Sequence, residues 1–289
     1  MIKNWISAAR PRTLPTSLSP VIIASGYAFH YGKLNIPVAI VCALFAITAQ
    51  IASNFANDYF DFKNGSDKPG RVGPRRAVAS GDISPKKMLT AIIVTLAVAA
   101  ALGCSLIPFG GWPLVMLGVI IMAFAVLYST GPYPLSYHGL GEVTVFIFFG
   151  LVPVCATYWL QTGTIHGDVL YGAVASGLLS VNILLVNNYR DAETDAADGK
   201  RTAVVILGKS FALYTYLVNG ILAALLLFLG YNAGVAAAVV FIIIHIITWN
   251  GIRKSSGSKL NAYIGRTAIN QLLFTLIFIL LILGYTPIL

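Results

Sequence analysis

Long apolar segments recur along the whole chain, and they constrain its fold more than any other feature. Nine runs of roughly 20 apolar residues, the length that crosses a hydrocarbon core of about 30 Å, are separated by turn residues or charges. Only 10% of the residues are charged, against about 25% in a soluble domain, so the surface cannot face water on all sides. The sequence therefore predicts an all-α, polytopic membrane protein in which residues 1–289 form a single membrane-embedded domain.

Turn residues and charge clusters divide these runs into nine predicted transmembrane helices, which we number one to nine. The predicted spans are 16–32, 36–58, 88–108, 112–130, 142–161, 167–189, 210–230, 232–249 and 268–287. Short connections such as Gly110-Gly111 and Gly131-Pro132 separate neighbouring helices. We therefore expect a single bundle.

The positions of Lys and Arg test this arrangement independently. If the N-terminus is cytoplasmic, all 19 Lys and Arg residues except Lys33 fall in cytoplasmic segments. Cytoplasmic loops of membrane proteins carry an excess of these residues. The pattern thus predicts a multi-pass protein of the cell (inner or plasma) membrane with its N-terminus inside. The net charge of +9 requires no nucleic-acid partner, since anionic membrane lipid and an anionic substrate account for it.

Acidic residues are rare, and seven of the ten lie in two short segments. These are Asp58, Asp61 and Asp67 near the end of predicted helix two, and Asp191, Glu193, Asp195 and Asp198 near the end of predicted helix six. The predicted topology puts both segments on the cytoplasmic side. Because an acid at membrane depth costs about 2.5–3.5 kcal/mol even on a lenient scale, we interpret these residues as functional. The alternative is a helix end whose acids pair with nearby Lys and Arg.

The two acidic segments resemble each other. Asn57-Asp58-Tyr59-Phe60-Asp61 aligns with Asn187-Asn188-Tyr189-Arg190-Asp191, with matching Asn, Tyr and final Asp. This similarity predicts two similar halves in the bundle, with helices two and six in equivalent places. In each segment amides and carboxylates recur at helical spacing, which places them on one face. Oxygens that converge from two helices favour a hard cation such as Mg²⁺, which a few carboxylates hold together with substrate phosphates.

Basic, glycine-containing segments follow both acidic segments: Lys68 to Arg76 in the first half and Gly199 to Thr202 in the second. Acids for Mg²⁺ next to bases for phosphate oxygens are the combination that diphosphate chemistry requires. The chain has no Gly-x-x-x-x-Gly-Lys-Ser/Thr motif, so nothing indicates ATP binding. The alternative for these bases is a purely topological role in orienting the helices.

The Asn-Asp-x-x-Asp and Asp-x-x-x-Asp motifs on helices two and six of nine resemble those of the UbiA superfamily of intramembrane prenyltransferases. Further segments resemble the branch of that superfamily that prenylates 1,4-dihydroxy-2-naphthoate in menaquinone synthesis. They are Arg10–Pro15, Asn57–Asp67, Arg71–Pro74, Gly139–Glu142, Phe148–Gly150, Tyr158–Gln161, Asn187–Asp191 and Gly199–Thr202. The resemblance extends over most of the chain and weakens after about residue 210.

The resemblance implies a helical bundle around a cavity that opens sideways to lipid, with Mg²⁺ as the cofactor. It implies a metal and prenyl-diphosphate site of six residues, whose four aspartates are the catalytic acids: Asn57, Asp58, Asp61, Asn188, Asp191 and Asp195. The bases that would neutralise the departing diphosphate are Arg71, Arg75, Lys200 and Arg201. Aromatic faces that could shelter an allylic cation, or alternatively anchor the chain at the membrane interface, are those of Tyr59, Tyr128 and Tyr133.

One departure from a related branch bears on the acceptor. Prenyltransferases of 4-hydroxybenzoate typically carry a Tyr-x-x-x-Lys element after helix four, whereas here Tyr133 is followed by Tyr137. The resemblance therefore implies transfer of a polyprenyl group from prenyl diphosphate to 1,4-dihydroxy-2-naphthoate, with loss of CO₂ and diphosphate, giving demethylmenaquinol. The alternatives are a related enzyme acting on homogentisate or 4-hydroxybenzoate, and a secondary transporter, since internal repeats and intramembrane acids occur there too.

Overall fold

A computed structural model describes residues 2–65, 72–230 and 234–284 of the chain. The α-helices are α1 (Ile2–Ala9), α2 (Leu14–His30), α3 (Ile36–Lys63), α4 (Pro85–Ser105), α5 (Ile107–Gly110), α6 (Pro113–Leu127), α7 (Gly141–Phe146), α8 (Val152–Thr162), α9 (Val169–Ala197), α10 (Ala203–Leu207), α11 (Lys209–Gly230), α12 (Gly234–Arg253) and α13 (Leu260–Gly284). A five-residue π-helical segment, Ile147–Leu151, joins α7 to α8. Every regular element within the described residues is helical, which confirms the all-α prediction.

Seven helical stretches in the described part of the chain are long and apolar enough to cross a membrane. They comprise α3, α4, α7 through α8, α9, α11, α12, and α13 with the turn before it. α2 and α6 lie where the first and fourth spans were predicted, but they contain 17 and 15 residues. At about 1.5 Å of rise per residue they fall short of a core of about 30 Å. A multi-pass membrane protein is thus confirmed, whereas the predicted number of nine spans is not.

Apolar side chains cover much of the outer surface of the bundle. Ile93, Met116 and Leu280 are 60%, 68% and 69% exposed. Many large apolar side chains on several helices are exposed in this way, and extensive exposed apolar surface marks contact with another apolar phase. A multi-pass membrane protein with seven apolar helices of spanning length presents such a surface.

The two helices that carry the acidic segments extend beyond the predicted spans. α3 continues to Lys63 and α9 to Ala197, although the apolar runs end near residues 58 and 189. A hydropathy pattern ends where apolar residues end, but the backbone hydrogen bonds of a helix continue through polar residues. The acidic segments therefore lie largely on the last turns of these helices, and the helical geometry predicted for them applies.

α9 is the most enclosed of the spans and packs against α2, α8, α11 and α13. Glycines allow the π-helical segment to approach it closely. A Cβ on Gly150 would lie 2.4 Å from Gly177 Cα, and a Cβ on Gly177 would lie 2.8 Å from the Phe146 carbonyl oxygen. Small residues permit such short distances between membrane helices. This packing holds α7 against α9 and brings the first turn of α7 beside the acidic motif of α9.

Candidate active site

A cavity of about 320 Å³ lies between α2, α3, α6, α7, α8 and α9. The last turns of α3 and α9 form its polar end, together with Arg76 and Lys200. The rest of the wall is largely apolar and includes Val21, Phe45, Leu106, Leu114, Ile121, Phe124 and Phe148. A polar end that continues into an apolar chamber suits a ligand with a charged head and a hydrocarbon tail.

Asn57 and Asp61 present the first motif to the cavity, one turn apart on α3. Arg76 Nη2 donates to Asn57 Oδ1 at 2.8 Å and to Asp61 Oδ2 at 2.9 Å. Tyr137 Oη donates to Asp61 Oδ1 at 3.1 Å, and Lys200 Nζ donates to the same oxygen at 3.2 Å. The carboxylate of Asp61 is buried, so these donors offset the cost of removing its charge from water.

The second motif repeats this arrangement on α9. Arg190 Nη2 donates to Asn187 Oδ1 at 2.8 Å and also to Asp191 Oδ2. Arg190 is itself held by Asn261 Oδ1, which accepts from Nη1 at 2.7 Å. In both motifs, therefore, one guanidinium nitrogen bridges an asparagine and the aspartate four residues later. The guanidinium of Arg190 is fully buried, and its role is to fix Asp191.

Lys200 links the two motifs across the polar end of the cavity. Its backbone N–H donates to the Asp195 carbonyl oxygen at 2.8 Å, and its ammonium reaches Asp61 on the other helix. Burial would lower the pKa of Lys200, but Asp61, the Tyr137 phenol and Asp195 raise it overall. Lys200 is therefore a cation at neutral pH, placed where it can meet an anionic ligand.

Asp58 has a different set of partners from the predicted one. Its Oδ2 accepts the Ala77 N–H at 3.0 Å, its Oδ1 accepts the Val78 N–H at 3.1 Å, and the side chain is buried. It does not line the cavity. Because both oxygens bind the backbone directly after Arg76, Asp58 holds the segment that presents Arg76 to Asp61.

Of the basic residues that were predicted to bind the diphosphate, one lines the cavity and others do not. Lys200 lines the cavity, whereas Arg75 is 67% exposed and pairs with Asp82 at 2.9 Å. Arg201 is exposed, and Arg71 lies outside the described residues. Arg76 is not among the four predicted diphosphate ligands, yet of the two described arginines of that segment, Arg75 and Arg76, it is the one that lines the cavity.

Among the three predicted aromatic residues, Tyr128 lines the cavity. Tyr59 packs edge-on against Phe60, with ring centroids 5.0 Å apart, and does not line the cavity. Tyr133 is 55% exposed and stacks on His138. The sequence gives Tyr137 no site role beyond standing where a related branch has lysine. It hydrogen-bonds Asp61, and the Lys200 ammonium lies 4.7 Å from the centre of its ring.

Sequence reasoning also missed two charged residues of the cavity wall. Arg10 lines the cavity from the turn before α2, where it adopts a left-handed conformation with φ 53°. Glu142 lines it from the first turn of α7, and its Oε1 accepts a hydrogen bond from Asn188 Nδ2 at 3.0 Å. The sequence does contain an indication of Glu142. It is an acid at the edge of an apolar span, where an ionisable side chain costs free energy and therefore marks a functional residue.

The polar end of the cavity is rich in oxygen donors, which Mg²⁺ prefers. Its oxygen donors are Asn57, Asp61, Asn188, Asp191 and Asp195. In the described part of the chain, no three His, Cys, Asp or Glu side chains lie close enough to bind an ion by themselves. Mg²⁺ usually keeps several waters and is bound through one or two carboxylates plus substrate phosphates. The residues therefore fit an ion that binds together with a diphosphate.

The all-helical membrane bundle, with two Asn/Asp motifs at the polar end of one apolar cavity, fits a membrane prenyltransferase. The chain belongs to the UbiA prenyltransferase family, whose model matches residues 17–269. The 1,4-dihydroxy-2-naphthoate octaprenyltransferase of Haemophilus influenzae is 38% identical over 220 residues, which cover 72% of this chain and 70% of that protein. The protein of the same name from Mycobacterium tuberculosis is 39% identical over 220 residues, or 76% of this chain and 74% of that one.

A solved structure of a UbiA homolog from Archaeoglobus fulgidus, bound to DMAPP and Mg²⁺, has the same fold. The TM-score is 0.69, and the superposition covers 98% of this chain and 100% of that one at 15% sequence identity. At this identity the likeness concerns the fold alone.

Proposed function

We propose that this protein transfers a polyprenyl group from a prenyl diphosphate to 1,4-dihydroxy-2-naphthoate, releasing CO₂ and diphosphate and forming demethylmenaquinol for menaquinone biosynthesis. The observation that carries the proposal is the meeting of the two Asn/Asp motifs with Arg76 and Lys200 at the polar end of one cavity. The relatives named as 1,4-dihydroxy-2-naphthoate octaprenyltransferases support the choice of acceptor.

The diphosphate would bind at this polar end with Mg²⁺. Five oxygen donors would hold the ion and its phosphates: Asn57, Asp61, Asn188, Asp191 and Asp195. Bound there, Mg²⁺ would stabilise the negative charge that develops on the diphosphate as it leaves. Arg76 and Lys200 donate to the diphosphate oxygens, and such charge-assisted bonds strengthen as the charge on the leaving group grows.

The bond changes are balanced without a nucleophile from the protein. The C1–O bond of the prenyl diphosphate breaks, and its electron pair leaves with the diphosphate. The ring carbon that bears the carboxylate, activated by the hydroxyl next to it, forms the new C–C bond to C1. The carboxylate then departs as CO₂, and the electron pair of the broken C–C bond restores the aromatic ring. Tyr128 and Phe124 line the cavity and can shelter the cationic C1 with their ring faces.

We place the reaction at the cytoplasmic side of the cell membrane. The distribution of Lys and Arg supports this orientation, since Lys33 alone falls outside. The ion pair between Asp61 and Lys200 supports a single site at one end of the bundle. A charged diphosphate would then bind near the aqueous phase, with its prenyl chain in the apolar part of the cavity.

The test follows the carboxyl carbon. Purified protein in lipid nanodiscs is given Mg²⁺, a polyprenyl diphosphate and 1,4-dihydroxy-2-naphthoate labelled in the carboxyl group. We expect labelled CO₂ to appear in step with diphosphate, and unlabelled demethylmenaquinol as the product. A prenylated product that keeps the label, or faster turnover of 4-hydroxybenzoate or homogentisate, would refute the proposed acceptor.

A further inference from the structure

Glu142 has one engaged and one unengaged carboxylate oxygen. Oε1 accepts from Asn188 Nδ2 at 3.0 Å. Oε2 is buried and has no hydrogen-bond partner among the described residues, although the side chain lines the cavity. Buried polar atoms in native proteins nearly always have a partner, so an exception requires an explanation. A donor supplied by a ligand of the cavity is such an explanation.

The engaged oxygen determines how Asn188 is oriented. A carboxylate only accepts hydrogen bonds, so the amide of Asn188 must turn its NH₂ group towards Glu142. Its Oδ1 then lies on the side away from Glu142, where it is available as an acceptor or a metal ligand. Glu142 thus positions one of the oxygens proposed to hold the Mg²⁺–diphosphate.

The depth of Glu142 indicates which ligand supplies the donor. Asn188 precedes Asp191 by three residues on α9, a rise of about 4.5 Å, so Glu142 contacts the second acidic motif at the end that lies deeper in the bundle than Asp191. The reactive C1 of a prenyl diphosphate follows directly after its diphosphate. The acceptor ring must approach C1 at this same depth, beside Glu142.

Two other cavity oxygens lack a partner among the described side chains, Thr16 Oγ1 and Gln50 Oε1. Gln50 precedes Asp61 by 11 residues, which is about 16 Å along α3. Among these three residues, Glu142 is the one that is hydrogen-bonded to a motif residue. The orphan oxygen of Glu142 is therefore the one that a hydrogen bond ties to the proposed metal and diphosphate site.

We propose that Glu142 binds the aromatic acceptor, with Oε2 accepting a hydrogen bond from the acceptor hydroxyl that is remote from the carboxylate. The inference rests on the proposed function. A prenyl diphosphate has no hydroxyl on its chain, so the acceptor is the substrate that can donate. Of its two hydroxyls, the one next to the carboxylate is engaged in an internal hydrogen bond, as in any ortho-hydroxy acid. The remote hydroxyl is free to donate to the protein.

Two variants separate the roles of the two oxygens. Glu142→Gln keeps an oxygen for Asn188 but replaces Oε2 with an NH₂ group, which cannot accept a hydrogen bond. Glu142→Leu removes both acceptors. Glu193→Gln is the matched control, because Glu193 is exposed, pairs with Lys209 and does not line the cavity.

The experiment measures equilibrium binding to purified full-length protein in nanodiscs, under anaerobic conditions. The probes are 1,4-dihydroxy-2-naphthoate, 1-hydroxy-2-naphthoate, which lacks the remote hydroxyl, and geranyl diphosphate with Mg²⁺. We expect the wild type and Glu193→Gln to bind the dihydroxy acid about 10-fold more tightly than the monohydroxy acid, as for a hydrogen bond to a charged group. Glu142→Gln should reduce this preference to about twofold or less, because its NH₂ group can donate to the hydroxyl oxygen only in a neutral hydrogen bond, without the charge of the carboxylate. It should bind geranyl diphosphate as the wild type does. Glu142→Leu should in addition bind geranyl diphosphate with Mg²⁺ about 10-fold more weakly.

Each negative result of this experiment refutes a different part of the proposal. If Glu142→Gln keeps the preference for the dihydroxy acid, the role of Oε2 is refuted while the proposed function stands. If Glu142→Leu binds geranyl diphosphate and Mg²⁺ as tightly as the wild type, the positioning of Asn188 is refuted. If the wild type binds geranyl diphosphate with Mg²⁺ but neither naphthoate, the proposed acceptor fails, and the proposed hydroxyl contact fails with it.

Discussion

Two arginines make the same contacts in the two halves of the chain but are placed differently. Arg76 and Arg190 each use Nη2 to bridge an asparagine and the aspartate four residues later. Arg76 lines the cavity, whereas Arg190 does not and is fully enclosed. The two motifs, which resemble each other in sequence, thus also share a hydrogen-bonding pattern. One arginine is available to a ligand, and the other keeps Asp191 in place.

Arg75 and Arg76 provide a matched pair of neighbours. Arg76→Ala removes a cavity donor for the diphosphate, so we expect kcat/KM for the prenyl diphosphate to fall by about 10²-fold. Arg75→Ala removes an exposed ion pair with Asp82, and such pairs contribute little, so kcat/KM should stay within about twofold. Steady-state kinetics of both variants measures the difference. Equal losses in the two variants would contradict the assignment of Arg76.

Asp58 and Asp61 provide a second pair. Asp61→Asn removes a proposed Mg²⁺ ligand and should abolish turnover and Mg²⁺-dependent binding of prenyl diphosphate, as Asp191→Asn and Asp195→Asn should. EDTA should do the same reversibly in the wild type.

Asp58→Asn leaves one of two backbone N–H groups without its acceptor, so we expect the free energy of unfolding to fall by about 1–3 kcal/mol with little change in Mg²⁺ affinity. Thermal unfolding and Mg²⁺ titration are the measurements, and a large loss of Mg²⁺ affinity in Asp58→Asn would instead make Asp58 a ligand.

At the scale of elements, the helical period predicted which residues meet. Asn57 and Asp61 on α3, and Asn188, Asp191 and Asp195 on α9, line one cavity as their spacing indicated. The same spacing included Asp58, but a helical face is wide, and Asp58 lies at its edge, where the loop from Ala77 covers it. The choice of Arg76 over Arg75 could not be predicted, because loops have no period and the direction of each side chain depends on tertiary contacts.

The close contact between the π-helical segment and α9 was also beyond the sequence reasoning. The sequence shows Gly150 only as part of a segment that resembles the family, whereas in the structure a Cβ added to it would lie 2.4 Å from Gly177 Cα. Nothing local distinguishes such a glycine from one that faces open space. The distinction comes from the partner helix, which lies 27 residues further along the chain.

This contact predicts a large effect for a small substitution. Gly150→Ala forces α7 and α8 away from α9, and overpacking of this kind costs about 1–3 kcal/mol. It should lower the thermal unfolding temperature and also activity, because α7 carries Glu142. Gly265→Ala is the control, since a Cβ at Gly265 meets nothing within 4 Å and alanine favours a helix by about 1 kcal/mol. Unchanged stability in Gly150→Ala would contradict the described packing.

At the scale of the whole molecule, both motifs lie at one end of the bundle and the apolar part of the cavity lies further in. The sequence predicted this arrangement from the placement of acids and bases after helices two and six. It did not determine the number of spans, because α2 and α6 are shorter than a full crossing. The apolar run of the fourth predicted span, 112–130, continues into a turn, so hydropathy overestimates the length of α6, whereas α2 has the predicted 17 residues and begins two residues earlier.

The orientation of the bundle in the membrane stays a prediction, and engineered cysteines test it. The background replaces Cys42, Cys104 and Cys155. Asn261 Nδ2 donates to the Val72 carbonyl oxygen at 3.3 Å, so the loop that contains Ser80 and the turn that contains Ser258 lie at the same end of the bundle. Both serines are exposed, as is Thr164 in the connection between α8 and α9.

In intact cells, we expect an impermeant maleimide to label Thr164→Cys, because the distribution of Lys and Arg puts this connection outside. Ser80→Cys and Ser258→Cys should react only after the membrane is permeabilised. The cysteine-free parent should not react in either condition, and all three variants should react in the second. Because Ser80 and Ser258 share one end of the bundle, they must behave alike in either orientation, and different labelling of the two would contradict the fold. Labelling of both from outside, with Thr164→Cys protected, would leave the fold intact and place the active site on the opposite face of the membrane.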